Sequence, residues 1–221
     1  MRNVSQSTVR RLSVYVRVLE DLERRGGETV SSRGLADRAG TTSAQVRKDL
    51  SYFGSFGKRG LGYSVPELLK SLRAILGLDR AWGVAVVGAG RIGQALARYP
   101  DFANKGFDVR AVFDNDPQKI GQRWDDLEVL DVGDLPQVFR ERQIEIVILA
   151  TGAESAQSVA NQVVACGVRA ILNFAPVKLQ VPAGVGLNNV NMVPELESLS
   201  FALTNPQATA RGVSGASQEP S

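Results

Sequence analysis

The chain has 221 residues, 43% of them hydrophobic, enough to bury a core in one large domain or two small ones. It has no histidine and a single cysteine, Cys166, which removes the commonest general acid–base and excludes an internal disulfide framework or a cysteine-cluster metal site. The formal charge of +3 is uneven: residues 1–79 carry 14 Lys and Arg against 8 Asp and Glu, whereas residues 80–221 carry 12 against 15. Only the first part therefore invites a polyanion. No apolar run approaches the ~18 residues that span a bilayer, and Met1–Gln6 lacks the apolar stretch of a signal peptide. The expectation is a cytoplasmic protein without membrane or metal.

From Thr8 to Arg25 the residues Val9, Leu12, Tyr15, Val16, Leu19 and Leu22 recur at helical spacing, and Gly26-Gly27 ends the helix. Ser31-Ser32 caps a short second helix that runs through Ala39. Gly40 turns the chain, and Thr41-Thr42-Ser43 opens a third helix to about Phe53 with Val46, Leu50 and Phe53 inward. Ser43, Gln45, Arg47, Lys48, Ser51 and Tyr52 are left outward, the pattern of a helix-turn-helix recognition face. The segment Gly54–Tyr63 follows, with glycines that permit a tight hairpin and Lys58-Arg59 at its tip. Two adjacent cations there repel each other unless a polyanion approaches, and a DNA minor groove supplies one. Arg47, Lys48 and Ser51 suit the major groove, while Lys58 and Arg59 suit the minor groove or the phosphates. Pro66 starts a fourth helix with Leu68, Leu69, Leu72, Ile75 and Leu76 apolar, and the module closes near Asp79.

The strand-like run Val84–Val87 then enters Gly88-Ala89-Gly90-Arg91-Ile92-Gly93, a G-x-G-x-x-G fingerprint, with Asp114 twenty-one residues after its last glycine. The first glycine suits a tight turn, the second lets backbone approach a pyrophosphate, and the third lets the following helix pack on the strand. Ile92, Leu96 and Tyr99 sit on that helix, and Pro100 is expected to stop it. Val109–Phe113 reads as a second strand, and Asp114, beside Asn115, can accept from both adenosine ribose hydroxyls while repelling a 2′-phosphate. That favours NAD(H). Leu135–Arg142 and Glu154–Ala165 read as helices, Ile144–Ala150 and Val168–Asn173 as strands. Thr151-Gly152 and Asn173-Phe174 follow strand ends, where ligands bind in parallel sheets. An apolar helix from Pro194 to about Thr204 ends the fold, either packed on its own domain or swapped onto a partner, and residues 207–221 have the composition of a disordered tail.

About forty-five residues follow Pro176, too few for a substrate domain, and no Tyr-x-x-x-Lys pair is present. No catalytic residue is assigned. The nucleotide pocket has a signature; a hydride-transfer site does not.

Together, Gln45–Gly54, Phe56–Tyr63, Gly88–Gly93 and Asn173-Phe174-Ala175-Pro176 resemble the redox-sensing transcriptional repressor family Rex over roughly residues 8–205. The resemblance implies a winged helix-turn-helix domain (1–79), a Rossmann-type doubly wound parallel sheet binding NADH or NAD⁺ (80–190), a swapped dimerisation helix (191–206) and a homodimer on a palindromic double-stranded DNA operator. NADH would release the DNA. The resemblance also implies a switch built from Arg17, Tyr99 and an acidic residue near the chain end. That last position is Asn191 here, which cannot supply the charge that pairs with Arg17. Met192 stands where an aromatic often lines the nicotinamide pocket. The alternatives are a small NAD-dependent oxidoreductase with an N-terminal dimerisation module, and a nucleotide- or CoA-binding subunit of an assembly.

Overall fold

A computed structural model describes residues 4–57 and 60–206. Lys58, Arg59 and the expected tail 207–221 lie outside the described residues. The chain divides into two compact units, Met1–Ala81 and Trp82–Ser221.

In the first unit, α1 (Gln6–Arg24) is capped by Ser5, whose hydroxyl accepts from the Thr8 amide. Helix α2 (Ser32–Ala39) is capped by Ser31 and ends at Gly40 in the left-handed region. Helix α3 (Ser43–Ser51) is capped by Thr42 and ends two residues short of the expected Phe53. Helix α4 (Val65–Leu76) has proline in its first turn and a left-handed Gly77 at its end. Leu12, Tyr15, Leu19, Leu35, Val46, Leu50, Val65 and Leu72 make the core of this unit.

Strand β2 (Tyr63–Ser64) pairs antiparallel with β1 (Thr29–Val30), which precedes α2. Tyr63 and Val30, both buried, anchor this ladder. The tip of the hairpin expected within Gly54–Tyr63, Lys58-Arg59, lies outside the described residues.

The second unit is a seven-stranded sheet in the order β5-β6-β4-β3-β7-β8-β9. Its strands are β3 (Trp82–Val87), β4 (Phe107–Asp114), β5 (Arg123–Trp124), β6 (Leu127–Asp131), β7 (Ile146–Leu149), β8 (Ala170–Asn173) and β9 (Gly186–Asn189). All neighbours pair in parallel except β5 with β6. The parallel strands run 3-2-1-4-5-6 in sequence rank, the doubly wound order whose direction reverses between β3 and β7. Side chains alternate across the sheet: Ala85 and Val87 pack with α7 (Leu135–Glu141) and α8 (Ala153–Ala165), whereas Val84 and Val86 face Leu96 and Phe102.

Pro100 does not stop the fingerprint helix. Helix α5 (Arg91–Ala97) ends earlier, and Pro100 is the first residue of α6 (Pro100–Asn104). Proline drives the preceding residue to extended geometry, and Tyr99 is there at φ −74°, ψ 111°, capping the new helix. The last helix, α9 (Val193–Thr204), has no buried residue; Leu196, Leu199, Phe201 and Leu203 are all more than half exposed. Among the described residues no helix is long and apolar enough to cross a membrane, and no cluster of acidic, histidine or cysteine side chains could hold a metal.

Candidate nucleotide cavity and nucleic-acid face

A cavity of about 350 Å³ opens at the reversal point of the sheet, a volume within the range of small-molecule sites. Its walls come from the end of β3 (Val87, Gly88, Gly90), the end of β4 (Asp114, Asn115) and the turn after β7 (Thr151, Gly152). Six of the twelve sequence-assigned nucleotide residues therefore line it. Ala89, Arg91, Ile92 and Gly93 belong to the same turn and are not among the residues that line the cavity. Gly93 is buried under the Gly88 carbonyl, and Ile92 is exposed.

Asn173 and Phe174 lie away from the cavity lining. The buried Asn173 amide donates to the Ala175 and Val177 carbonyls and to Asn189 Oδ1, and its Oδ1 accepts from the Ala175 amide. It ties the turn after β8 to the edge strand β9. Phe174 packs with Leu96 and Phe102 on one face of the sheet.

Asp114 is almost fully buried and holds the glycine turn to β4. Its Oδ2 accepts from the Ala89 amide at 2.7 Å and from Lys119 Nζ at 3.1 Å, and its Oδ1 accepts from the Asp116 amide at 2.9 Å. Burial pushes this carboxyl up, but the two backbone amides and the Lys119 ammonium outweigh it and hold it below the ordinary value. A carboxylate offers about four acceptor positions, so one position stays open while Lys119 stays in place. Accepting from two hydroxyls requires Lys119 to move aside. Lys119, Ser155, Ser158 and Gln162 add polar groups to the lining, beside the apolar Val132, Ala150 and Val159, and the sequence pattern did not mark these four. The three on α8 recur at helical spacing on its cavity-facing side, a signal legible only once the position of α8 is known.

Two observations test whether a dinucleotide fits. A Cβ built on Gly90 meets no protein atom within 4 Å, so its bare backbone faces open space. Thr151 Oγ1 is buried without a hydrogen-bond partner at the same cavity, a group that a ligand polar atom would satisfy. The site fits a phosphate passing over Gly90 with a ribose at Asp114.

In the first unit, Lys48 and Ser51 are exposed on α3, and Ser43 and Tyr52 are partly so. Arg47 is exposed too, with Nη1 donating to Ser32 Oγ at 3.0 Å. Gln45 is half-buried, held by a residue the sequence left unassigned. That residue is Asp49, wholly buried on α3, whose carboxylate receives Arg11 Nε at 2.6 Å, Arg11 Nη2 at 2.7 Å, Tyr15 OH at 2.9 Å and Gln45 Nε2 at 2.8 Å. Burial pushes Asp49 up, but hydrogen bonds from Arg11, Gln45 and Tyr15 and the Arg11 charge hold it below its ordinary value of 3.8. Burial, and then the bond to Asp49, push the Tyr15 hydroxyl up to about 12.

Asp49 and Asp114 both bind their protons more weakly folded than unfolded. Their stabilisation is complete above the unfolded value near pH 4 and is lost as pH falls through the lower folded values. Melting temperatures are therefore expected to hold steady from pH 7 to about 5 and to fall below about pH 4, with a shallower fall for Asp49→Asn. A melting series that stays flat to pH 3 would contradict this.

A helix-turn-helix unit ahead of a dinucleotide-type sheet places the chain in the class of proteins that join a DNA-binding head to a nucleotide pocket. Residues 3–51 match the family described as "Putative DNA-binding protein N-terminus", and residues 79–177 match "CoA binding domain". A Redox-sensing transcriptional repressor Rex from Carboxydothermus hydrogenoformans is 50% identical over 90% of this chain and 95% of its own. Crystal structures of RSP in complex with beta-NADH, and with beta-NAD⁺ and operator DNA, superpose with TM-scores of 0.84 and 0.87. They share 36% and 38% identity, cover 96% and 99% of this chain, and are covered over 99% and 100% of theirs. The chain belongs to the Rex family of redox-sensing transcriptional repressors.

Proposed function

We propose that this chain is a repressor that senses the NADH/NAD⁺ balance, binding operator DNA through α3 and the loop that follows it, and releasing that DNA when NADH fills the cavity at Gly88, Gly90 and Asp114. The observation that carries this reading is the cavity's place at the sheet's reversal point, in a chain half identical to a Rex repressor. Relatives named as repressors support a binding protein rather than an enzyme. A repressor acts on DNA, which argues for the cytoplasm.

A ligand changes DNA affinity only if it binds two conformations unequally, and DNA must then change NADH affinity by the same factor. NADH and NAD⁺ differ only at the nicotinamide, so discrimination has to arise there. We assign the switch to Arg17, Tyr99 and Asn191. Arg17 is exposed on α1, and Tyr99 is half exposed and stacked edge-on to Phe102. Asn191 Oδ1 accepts from the Val193 amide at the start of α9. An asparagine already engaged in that turn is a weaker partner for an arginine than a carboxylate would be. The exposed apolar residues of α9 support a homodimer in which this helix swaps onto the partner, and two-fold symmetry calls for a palindromic operator.

Fluorescence anisotropy on such an operator tests the proposal. NADH is expected to weaken binding at least tenfold more than NAD⁺ does. Equal effects of the two nucleotides would overturn the sensing function. A substrate-dependent change at the nicotinamide absorbance band would favour the oxidoreductase instead.

A further inference from the structure

Asp49 and Gln45 stand one helical turn apart on α3, and the geometry between them has a direction. A carboxylate only accepts hydrogen bonds. The group that Gln45 turns toward Asp49 Oδ1, at 2.8 Å, is therefore its Nε2, and its Oε1 has to face away. Asp49 itself cannot swing. It is wholly buried, forked by Arg11 Nε and Nη2, and bonded to Tyr15 OH. The start of the helix is fixed as well, because the Gln45 amide donates to Thr42 Oγ1 at 3.1 Å.

A glutamine free in water turns its amide either way and offers its donor and acceptor in either order. Gln45 offers one order: Oε1 as acceptor, with the second Nε2 proton beside it. Adenine shows the complement on its major-groove edge, an N6 amino donor next to the N7 acceptor. Guanine at the same place would set its O6 against Oε1. Gln45 lies in the first turn of α3, and first-turn residues of a recognition helix are the ones that meet base edges. We propose that Gln45 reads an adenine in each operator half-site and that Asp49 is the positioning residue that fixes the sense of its amide. The inference rests on the DNA-binding reading of α3. It accounts for an otherwise expensive feature, a buried carboxylate on a DNA-facing helix.

The test uses the full chain. Selection from a random duplex library defines the preferred half-site, and each adenine in turn is replaced by 7-deazaadenine, which lacks the N7 acceptor. One adenine per half-site is expected at which this replacement weakens binding roughly five- to a hundredfold, and in Gln45→Ala that penalty should vanish. Asp49→Asn keeps the shape of the side chain but not its charge, so it is assayed well below a melting temperature located by circular dichroism; there it should keep duplex binding and lose most of the adenine-over-guanine preference at that position alone, because an asparagine Nδ2 can donate to the Oε1 of the flipped amide. Hydrogen exchange of the Gln45 side-chain protons, followed by NMR in the unsubstituted protein, reads the lock without any variant and should show protection. A selected half-site with no Gln45-dependent adenine, or unprotected Gln45 protons, would overturn the inference and leave the repressor reading standing. Failure to select any DNA sequence would overturn both.

Discussion

Asp49→Ala is expected to destabilise the first unit by about 3–5 kcal/mol, the cost of breaking a buried ion pair by removing one partner. The variant leaves a guanidinium with no carboxylate and strands the hydroxyl of Tyr15, a fully buried side chain. A small domain has ~5–15 kcal/mol in total, so much of this unit's stability disappears. The full chain should melt in two steps, with the lower one shifted strongly downward and the upper one unmoved. Operator binding should fail while NADH titration stays normal. The compensating experiment separates charge from packing. Replacing both partners, Asp49→Leu with Arg11→Met, removes the unpaired charge and should recover part of the loss. A single melting step that shifts by less than about 1 kcal/mol in Asp49→Ala would show that the network contributes little.

That network also marks the boundary of what a single sequence discloses. The caps at Ser31 and Thr42, the glycine turns and the apolar strands β3, β4, β7 and β8 are local patterns, and they were legible as such. Two of the donors to Asp49 come from far along the chain, Tyr15, 34 residues away, and Arg11, 38 residues away, and no local periodicity links them to it. Strand β9 escaped for a different reason. Gly186–Asn189 is a short edge strand with one apolar residue and little burial, so it carries neither the alternation nor the apolar run that marks a strand. Pairing with β8, and the Asn173–Asn189 bond, hold it in place instead. Asn173 shows the converse: its position after a strand suggests a ligand contact, while the bonds of its amide to Ala175, Val177 and Asn189, which no local pattern announces, tie the turn to β9.

The three glycines of the fingerprint have distinct jobs, and two substitutions should separate folding from binding. A Cβ on Gly93 would collide with the Gly88 carbonyl, a backbone atom that cannot move without breaking the turn. Gly88 is itself at φ 109°, and a Cβ there would lie 2.5 Å from the Ala150 carbonyl oxygen. Gly93→Ala is therefore expected to cost about 3 kcal/mol or more, read as a lower upper melting step and a nucleotide affinity lost along with the fold. Gly90 is different. Its φ of −83° and ψ of −175° suit any residue, and a Cβ there meets no protein atom. Gly90→Val should melt within about 1 kcal/mol of the parent, since only a modest cap preference is given up. Its new methyl groups would instead occupy the space over which a pyrophosphate passes. NADH affinity should fall by about 3 kcal/mol, more than a hundredfold by calorimetric titration, leaving operator binding that no longer responds to NADH. If Gly90→Val bound NADH as the parent does, the phosphates would have to lie elsewhere, and the cavity between Gly90, Asp114 and Thr151 would lose its assignment.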